Sequence, residues 1–190
     1  MPLSDPAPRE PLHTRQIECR GYRRADGLWD IEGHLIDVKS FALRNDWRGE
    51  IAPGIPLHEM WIRITVDDRL TITAIEAVTD NSPYRICPDI TSNFQRLKGL
   101  RIGPGLHARI RELVGGTEGC THLAELMGPI ATTAIQTMAG SRRRPEHKPA
   151  DPARPRRRPP LIDTCHAYAD DGEIVRRKYP EFYTGPVRDA

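Results

Sequence analysis

HEMWIRITVDDRLTITAIEAVTD, from His58 to Asp80, is the stretch that sets the fold. Its first half alternates His58, Met60, Ile62, Ile64 and Val66 against Glu59, Trp61, Arg63, Thr65 and Asp67. A period of two puts one set on each face of a strand, and the β-branched content suits a pleated surface. LTITAIEAVTD returns after a short Asp-Asp-Arg turn, so the stretch reads as an antiparallel hairpin. In a hairpin the start of one strand lies beside the end of the next, which brings His58 near Asp80. A Ser82-Pro83 turn follows, and Asp80 is equally able to cap it.

Upstream, RQIECRGYRR and LWDIEGHLIDV flank Ala25-Asp26-Gly27. Asp-Gly is a hairpin signal because both residues tolerate positive φ. On the second strand Asp30, Glu32, His34 and Ile36 share one face, and Trp29, Ile31, Gly33 and Leu35 the other. The polar row is a solvated strand face or, at a site, a source of a general acid or base, with Glu32 and His34 as candidates. Between the hairpins, Trp47 and the run Gly49 to Pro56 read as a loop.

From Asp80 onward the period changes. DNSPYRICPDITSNFQRLKG is expected to form a turn and then a helix around Asp89–Lys98, ended by Gly99. LHARIRELVGG puts Leu106, Ile110 and Leu113 on one helical stripe, closed by Gly115-Gly116. GCTHLAELMGPIATTA opens a third helix, from about Cys120 to Met138. Pro129 cannot donate to the carbonyl of Glu125, so a kink or break is expected there. Cys120 stands at the positive end of that helix, which favours a thiolate. His122 is two residues on, so both side chains can reach one ion only if Cys120 lies in the non-helical cap. Taken alone, the pair is a buried thiol and a turn histidine.

Of the 190 residues 38% are hydrophobic and 28% charged, enough for one domain with a core. No apolar run approaches the roughly 20 residues of a spanning helix. MPLSDPAPREPLHTRQ lacks the basic start and apolar stretch of a secretory signal, so a cytoplasmic location without a membrane partner is expected. Cys19, Cys87, Cys120 and Cys165 are scattered and expected to be reduced. Residues 1–14 read as an extended arm, 15–139 as an α+β core, 140–160 as a flexible Pro/Arg linker and 161–190 as a C-terminal hairpin. That hairpin, LIDTCHAY and EIVRRKYP around Ala169-Asp170-Asp171-Gly172, is expected to dock on the core because a lone hairpin is marginally stable. If Cys165-His166 lies on its strand, the two side chains face opposite ways. The linker holds eight Lys or Arg, two acids and six prolines, a charge of +6 that leaves −4 elsewhere from the net +2. Arg142–Arg144 and Arg156–Arg158 lack interleaved aromatics for base stacking, so nucleic acid is not an expected partner. Walker A, G-x-G-x-x-G, G-x-S-x-G and H-E-x-x-H motifs are all absent from the sequence.

CRGYRRADGLWDIEGHLID, DNSPYRICPDI, FQRLKGLRIGPG, GCTHLAEL and DTCHAY resemble a bacterial family of uncharacterised proteins, domain-of-unknown-function family 2889. That resemblance implies no activity. His58 to Met138 is similar in its order of elements to the U-type scaffold proteins of iron–sulfur cluster assembly. Those are α+β proteins that gather three ligand positions at one end of the sheet. Here His58-Glu59-Met60 stands at the first, the Asp80–Tyr84 turn at the second and Gly119-Cys120 at the third. The similarity implies that His58, Asp80, Cys120 and His122 meet there. Such a mixed set suits zinc or non-haem iron better than a cluster.

The expected fold is α+β, an antiparallel sheet of hairpins packed against about three helices. Three functions remain open. The first is a metal-dependent lyase or hydrolase acting on a small molecule, with zinc or iron on His58, Asp80, Cys120 or His122. The second is a metal or cluster carrier. The third is a metal-free enzyme with Cys120 as nucleophile, activated by His58 or His122.

Overall fold

The computed structural model describes residues 3–139, 158–159 and 161–186. The core comprises β1 (His13–Arg23), β2 (Trp29–Lys39), β3 (Leu43–Asn45), β4 (Gly49–Ile51), β5 (Pro56–Val66), β6 (Ile72–Asn81), a 3₁₀ segment Cys87–Leu97, α1 (Leu106–Val114) and α2 (Thr121–Met138). Both expected hairpins are present. Gly27 takes a φ of +87° in the first turn, where Leu28 N donates to the Asp26 carboxylate at 3.2 Å. In the second turn the Asp67 carboxylate accepts from the backbone N–H of Arg69 and Thr71, which holds Leu70 at a φ of +64°. The intervening loop contains the short pair β3–β4, a sheet of its own.

The two hairpins join into one antiparallel sheet in the order β1-β2-β5-β6. Pairing of β2 with β5 sets Leu35 opposite Met60 and Asp37 opposite His58. Burial along β2 alternates strictly, with Trp29, Ile31, Gly33, Leu35 and Asp37 on the inner face. α2 packs on that face against β1, β2 and β5, burying Leu123, Leu126, Met127 and Ile130 beside Ile31, Leu35, Met60 and Ile62. Each such side chain contributes about 1.5–3 kcal/mol. Gly33 permits the approach, since a Cβ there would lie 2.6 Å from Ile130 Cδ1.

Two helical expectations differ in detail. The segment around Asp89–Lys98 is a 3₁₀ helix, Cys87–Leu97, with Phe94 and Leu97 buried. α2 runs unbroken through Pro129. The lost hydrogen bond and ring clash cost about 3 kcal/mol, and the seven buried residues of α2 outweigh them.

The C-terminal residues form a separate unit, and the hairpin expected at 161–190 is not formed among its described residues. LIDTCHAY instead makes a turn and a 3₁₀ helix, His166–Tyr168, and EIVRRK makes α3 (Glu173–Lys178). Glu and Arg are good helix formers, and an acid in the first turn with bases in the last suits the helix dipole. Asp170-Asp171-Gly172 leads into α3 rather than turning a hairpin, with Gly172 at its N-cap. The linker expected at 140–160 lies outside the described residues apart from Arg158 and Pro159. No helix among the described residues is long and apolar enough to cross a membrane.

Candidate metal centre

At the end of the sheet where β1 and β5 begin and β2 finishes, the apolar alternation of β2 runs into a carboxylate. Asp37 continues the phase of Leu35 inward, and its side chain is 1% exposed. An isolated charge there would be costly, and four groups answer it. Arg15, directly opposite on β1, donates Nε to Oδ1 at 2.7 Å and Nη2 to Oδ2 at 2.8 Å. His58 Nδ1 lies 3.1 Å and His122 Nε2 3.6 Å from Oδ2, and His13 Nε2 lies 3.3 Å from Oδ1. The His58 and His122 rings meet at 3.9 Å between centroids, tilted by 31°.

Asp37, His58 and His122 each offer a ligand atom, all within 4.8 Å of one another. Two imidazoles and a carboxylate are the donor set of zinc and of non-haem iron. Burial pushes the His58 pKa down to about 4, helped by His122 and opposed by Asp37. His122 is also lowered, by burial and then by Arg15. Both imidazoles are thus neutral at pH 7, the form that binds metal. Burial raises the Asp37 pKa, but Arg15's hydrogen bond and charge, with His58 and His13, outweigh it and leave the net shift downward. With His58 neutral, Arg15 is the lasting charge partner. Arg15 also reaches Glu125 on α2 through Nη1 at 2.8 Å.

Cys120 is the N-cap of α2, in extended conformation with φ −113° and ψ 128°. It therefore lies outside the helical turn, and its Sγ comes to 3.8 Å from His122 Nδ1 and 3.8 Å from Met60 Sδ. His122 thus turns one nitrogen to Asp37 and the other to Cys120, a contact of the kind that orients a metal-bound imidazole.

The sequence singled out His58, Cys120 and His122, and the structure brings these three together. The carboxylate beside His58 is Asp37, not Asp80. Register slips between Glu59 and Met60, so that Glu59 pairs with Asn81 and Met60 with Thr79. Asp80 is left in the bulge, where its carboxylate accepts from Trp61 Nε1 at 3.0 Å on the opposite face. Glu32 and His34 are on that outer face too. Glu32 lies 3.7 Å from Arg63, and His34 stacks on Trp61 at 3.5 Å. His34 Nε2 is 3.3 Å from Glu59 Oε1 but at an angle that makes no hydrogen bond.

Sequence reasoning passed over Asp37, Arg15 and His13. A signal for Asp37 was present, because it occupies the next apolar phase after Trp29, Ile31, Gly33 and Leu35. His13 and Arg15 sat at the edge of an expected extended arm and became meaningful only once β1 paired with β2.

The family of proteins of unknown function DUF2889 matches residues 13–136. The chain belongs to it. The DUF2889 match spans every group of the centre, from His13 to Glu125, and stops short of the C-terminal unit. No curated protein and no solved structure matches the chain.

Proposed function

We propose that this DUF2889 protein binds one zinc or iron(II) ion through Asp37, His58 and His122 and uses it in an enzymatic reaction on a small molecule, of the lyase or hydrolase kind. The observation that carries this is the convergence of two neutral imidazoles on one oxygen of a carboxylate that is 1% exposed. Three protein ligands leave a coordination position for water or substrate, and the ion lowers the pKa of a bound water or polarises a bound carbonyl. Charge supports the same view. Arg15 cancels Asp37, and Glu125 adds a negative charge, so a divalent cation is welcome. Cys120 stands behind His122 as the group that orients it. Cysteines that are all free also suit a reducing compartment such as the cytoplasm.

The test is a calorimetric titration of the chelator-stripped full chain with zinc, and with iron(II) under anaerobic conditions. One equivalent should bind, and a His58→Ala/His122→Ala double variant of native fold should bind none. Equal binding by both proteins would refute the site. A tightly bound equivalent with no turnover in a substrate screen would favour a carrier.

A second reading has its own observation. Cys120 Sγ, His122 Nδ1, His122 Nε2 and Asp37 Oδ2 form a chain with gaps of 3.8 and 3.6 Å, the order of a thiol, a base and its orienting carboxylate. Absence of bound metal together with rapid, histidine-dependent alkylation of Cys120 would favour it.

A further inference from the structure

Arg15 is more than a counter-ion to Asp37. Its guanidinium has five N–H donors in a planar fork. Nε and Nη2 grip Asp37, while Nη1 points outward to Glu125 Oε2 at 2.8 Å. Glu125 lies one turn beyond His122 on α2, and its side chain is 54% exposed. An ion pair so exposed is weak and readily exchanged. The Asp37 oxygen that faces both imidazoles, Oδ2, is the one Arg15 Nη2 holds at 2.8 Å. An ion about 2 Å from Oδ2 then lies within roughly 5 Å of the guanidinium, a gap that one carboxylate can bridge.

We propose that the substrate of the metal centre is a small carboxylate, one oxygen on the ion and the other on Arg15, in the place that Glu125 holds in its absence. This deepens the metal reading above and rests on it. Charge explains why an anion enters. With Asp37 and Arg15 cancelling, a divalent ion leaves two positive charges once Glu125 swings out. The first turn of α2 adds its positive end beside the site, with no side-chain cap at Cys120. With Nε and Nη2 held by Asp37, Nη1 is the donor turned outward, and its charge-assisted hydrogen bond to the second oxygen is stronger for a carboxylate than for a neutral substrate. Glu125 is then a competitor built into the fold, occupying the anion's place and leaving when substrate arrives.

The account is tested with the full chain loaded with cobalt(II), whose visible bands report ligands entering the coordination sphere. Acetate is the probe, and acetamide its neutral counterpart. Acetate should shift the bands saturably and acetamide should not. Glu125→Gln, a change at an exposed position, should tighten acetate three- to tenfold by removing the competitor. Arg15→Gln should weaken it at least tenfold. Normal cobalt binding with an acetate affinity that Glu125→Gln leaves unmoved, or with acetamide as effective as acetate, would overturn this inference alone. Failure of the chain to take up cobalt would overturn the metal reading and this inference with it.

Discussion

The two faces of the central sheet carry the same chemical groups to different ends. On the outer face His34, Glu32 and Glu59 rise from the adjacent strands β2 and β5. Their side chains run side by side, His34 flat against Trp61 with 8° between the rings and Glu32 against Arg63. On the inner face Asp37 and His58 come from the same two strands, but α2 lowers His122 onto them, and the two rings close on one carboxylate. A sheet keeps neighbouring side chains roughly parallel, so a row of polar groups stays a row. The sheet alone brings His58 to Asp37, and the second imidazole arrives from above, on the first turn of an 18-residue helix. The apolar contacts of Leu123, Leu126 and Ile130 that hold α2 down also aim His122.

Several substitutions would break or sharpen this contrast. The largest effect is expected at Arg15. Arg15→Met strands the Asp37 carboxylate, and urea denaturation should show a loss of about 3 kcal/mol, since His13 and His58 still face it. Arg63→Met on the outer face, where the arginine is 50% exposed, should cost less than about 1 kcal/mol. Equal losses would erase the distinction between the faces.

Next is Gly33→Ala, which drives a methyl to 2.6 Å from Ile130 Cδ1 and 3.1 Å from Leu126 Cδ1. It should cost about 2 kcal/mol, and because it lifts α2 it should also weaken metal binding. Unchanged metal affinity at reduced stability would separate the packing of α2 from the aim of His122.

An effect of a different kind should appear with pH. The unfolded chain protonates His58 near its ordinary pKa of about 6.5, and the folded chain only near 4, so between those values the unfolded state binds more protons. Stability of the metal-free protein should therefore be full above about pH 6.5 and decline as the pH falls toward 4. His122, lowered in the same sense, adds to that decline. Asp37 extends it below the ordinary carboxylate range. His58→Gln should flatten the profile, as measured by urea midpoints across that range. The smallest effect on the metal centre belongs to Trp61→Ala on the outer face, which should leave metal affinity unaltered although it removes the His34 stack and the hydrogen bond to Asp80.

What was legible in the sequence was whatever is local. A period of two in β5, the Asp-Gly turn before β2 and the glycines closing the helical segments are all decided within a few residues, and the structure keeps them. The pairing of β2 with β5 is not local, and it alone sets Asp37 opposite His58. The bulge that turns Asp80 outward likewise depends on register across two strands. Cys120 and His122 were recognised with the condition that Cys120 be a non-helical cap, and that condition is met. At the C-terminus, Asp and Gly signalled a turn, but the same residues also start helices, and EIVRRK resolves the ambiguity in favour of α3.

The most direct test of the central claim is elemental analysis of the full chain purified without added metal or chelator, beside His122→Ala on the inner face and His34→Ala on the outer. The account predicts about one zinc or iron per chain in the wild type and in His34→Ala, and a large loss in His122→Ala. Metal retained in His122→Ala, or lost in His34→Ala alone, would contradict it.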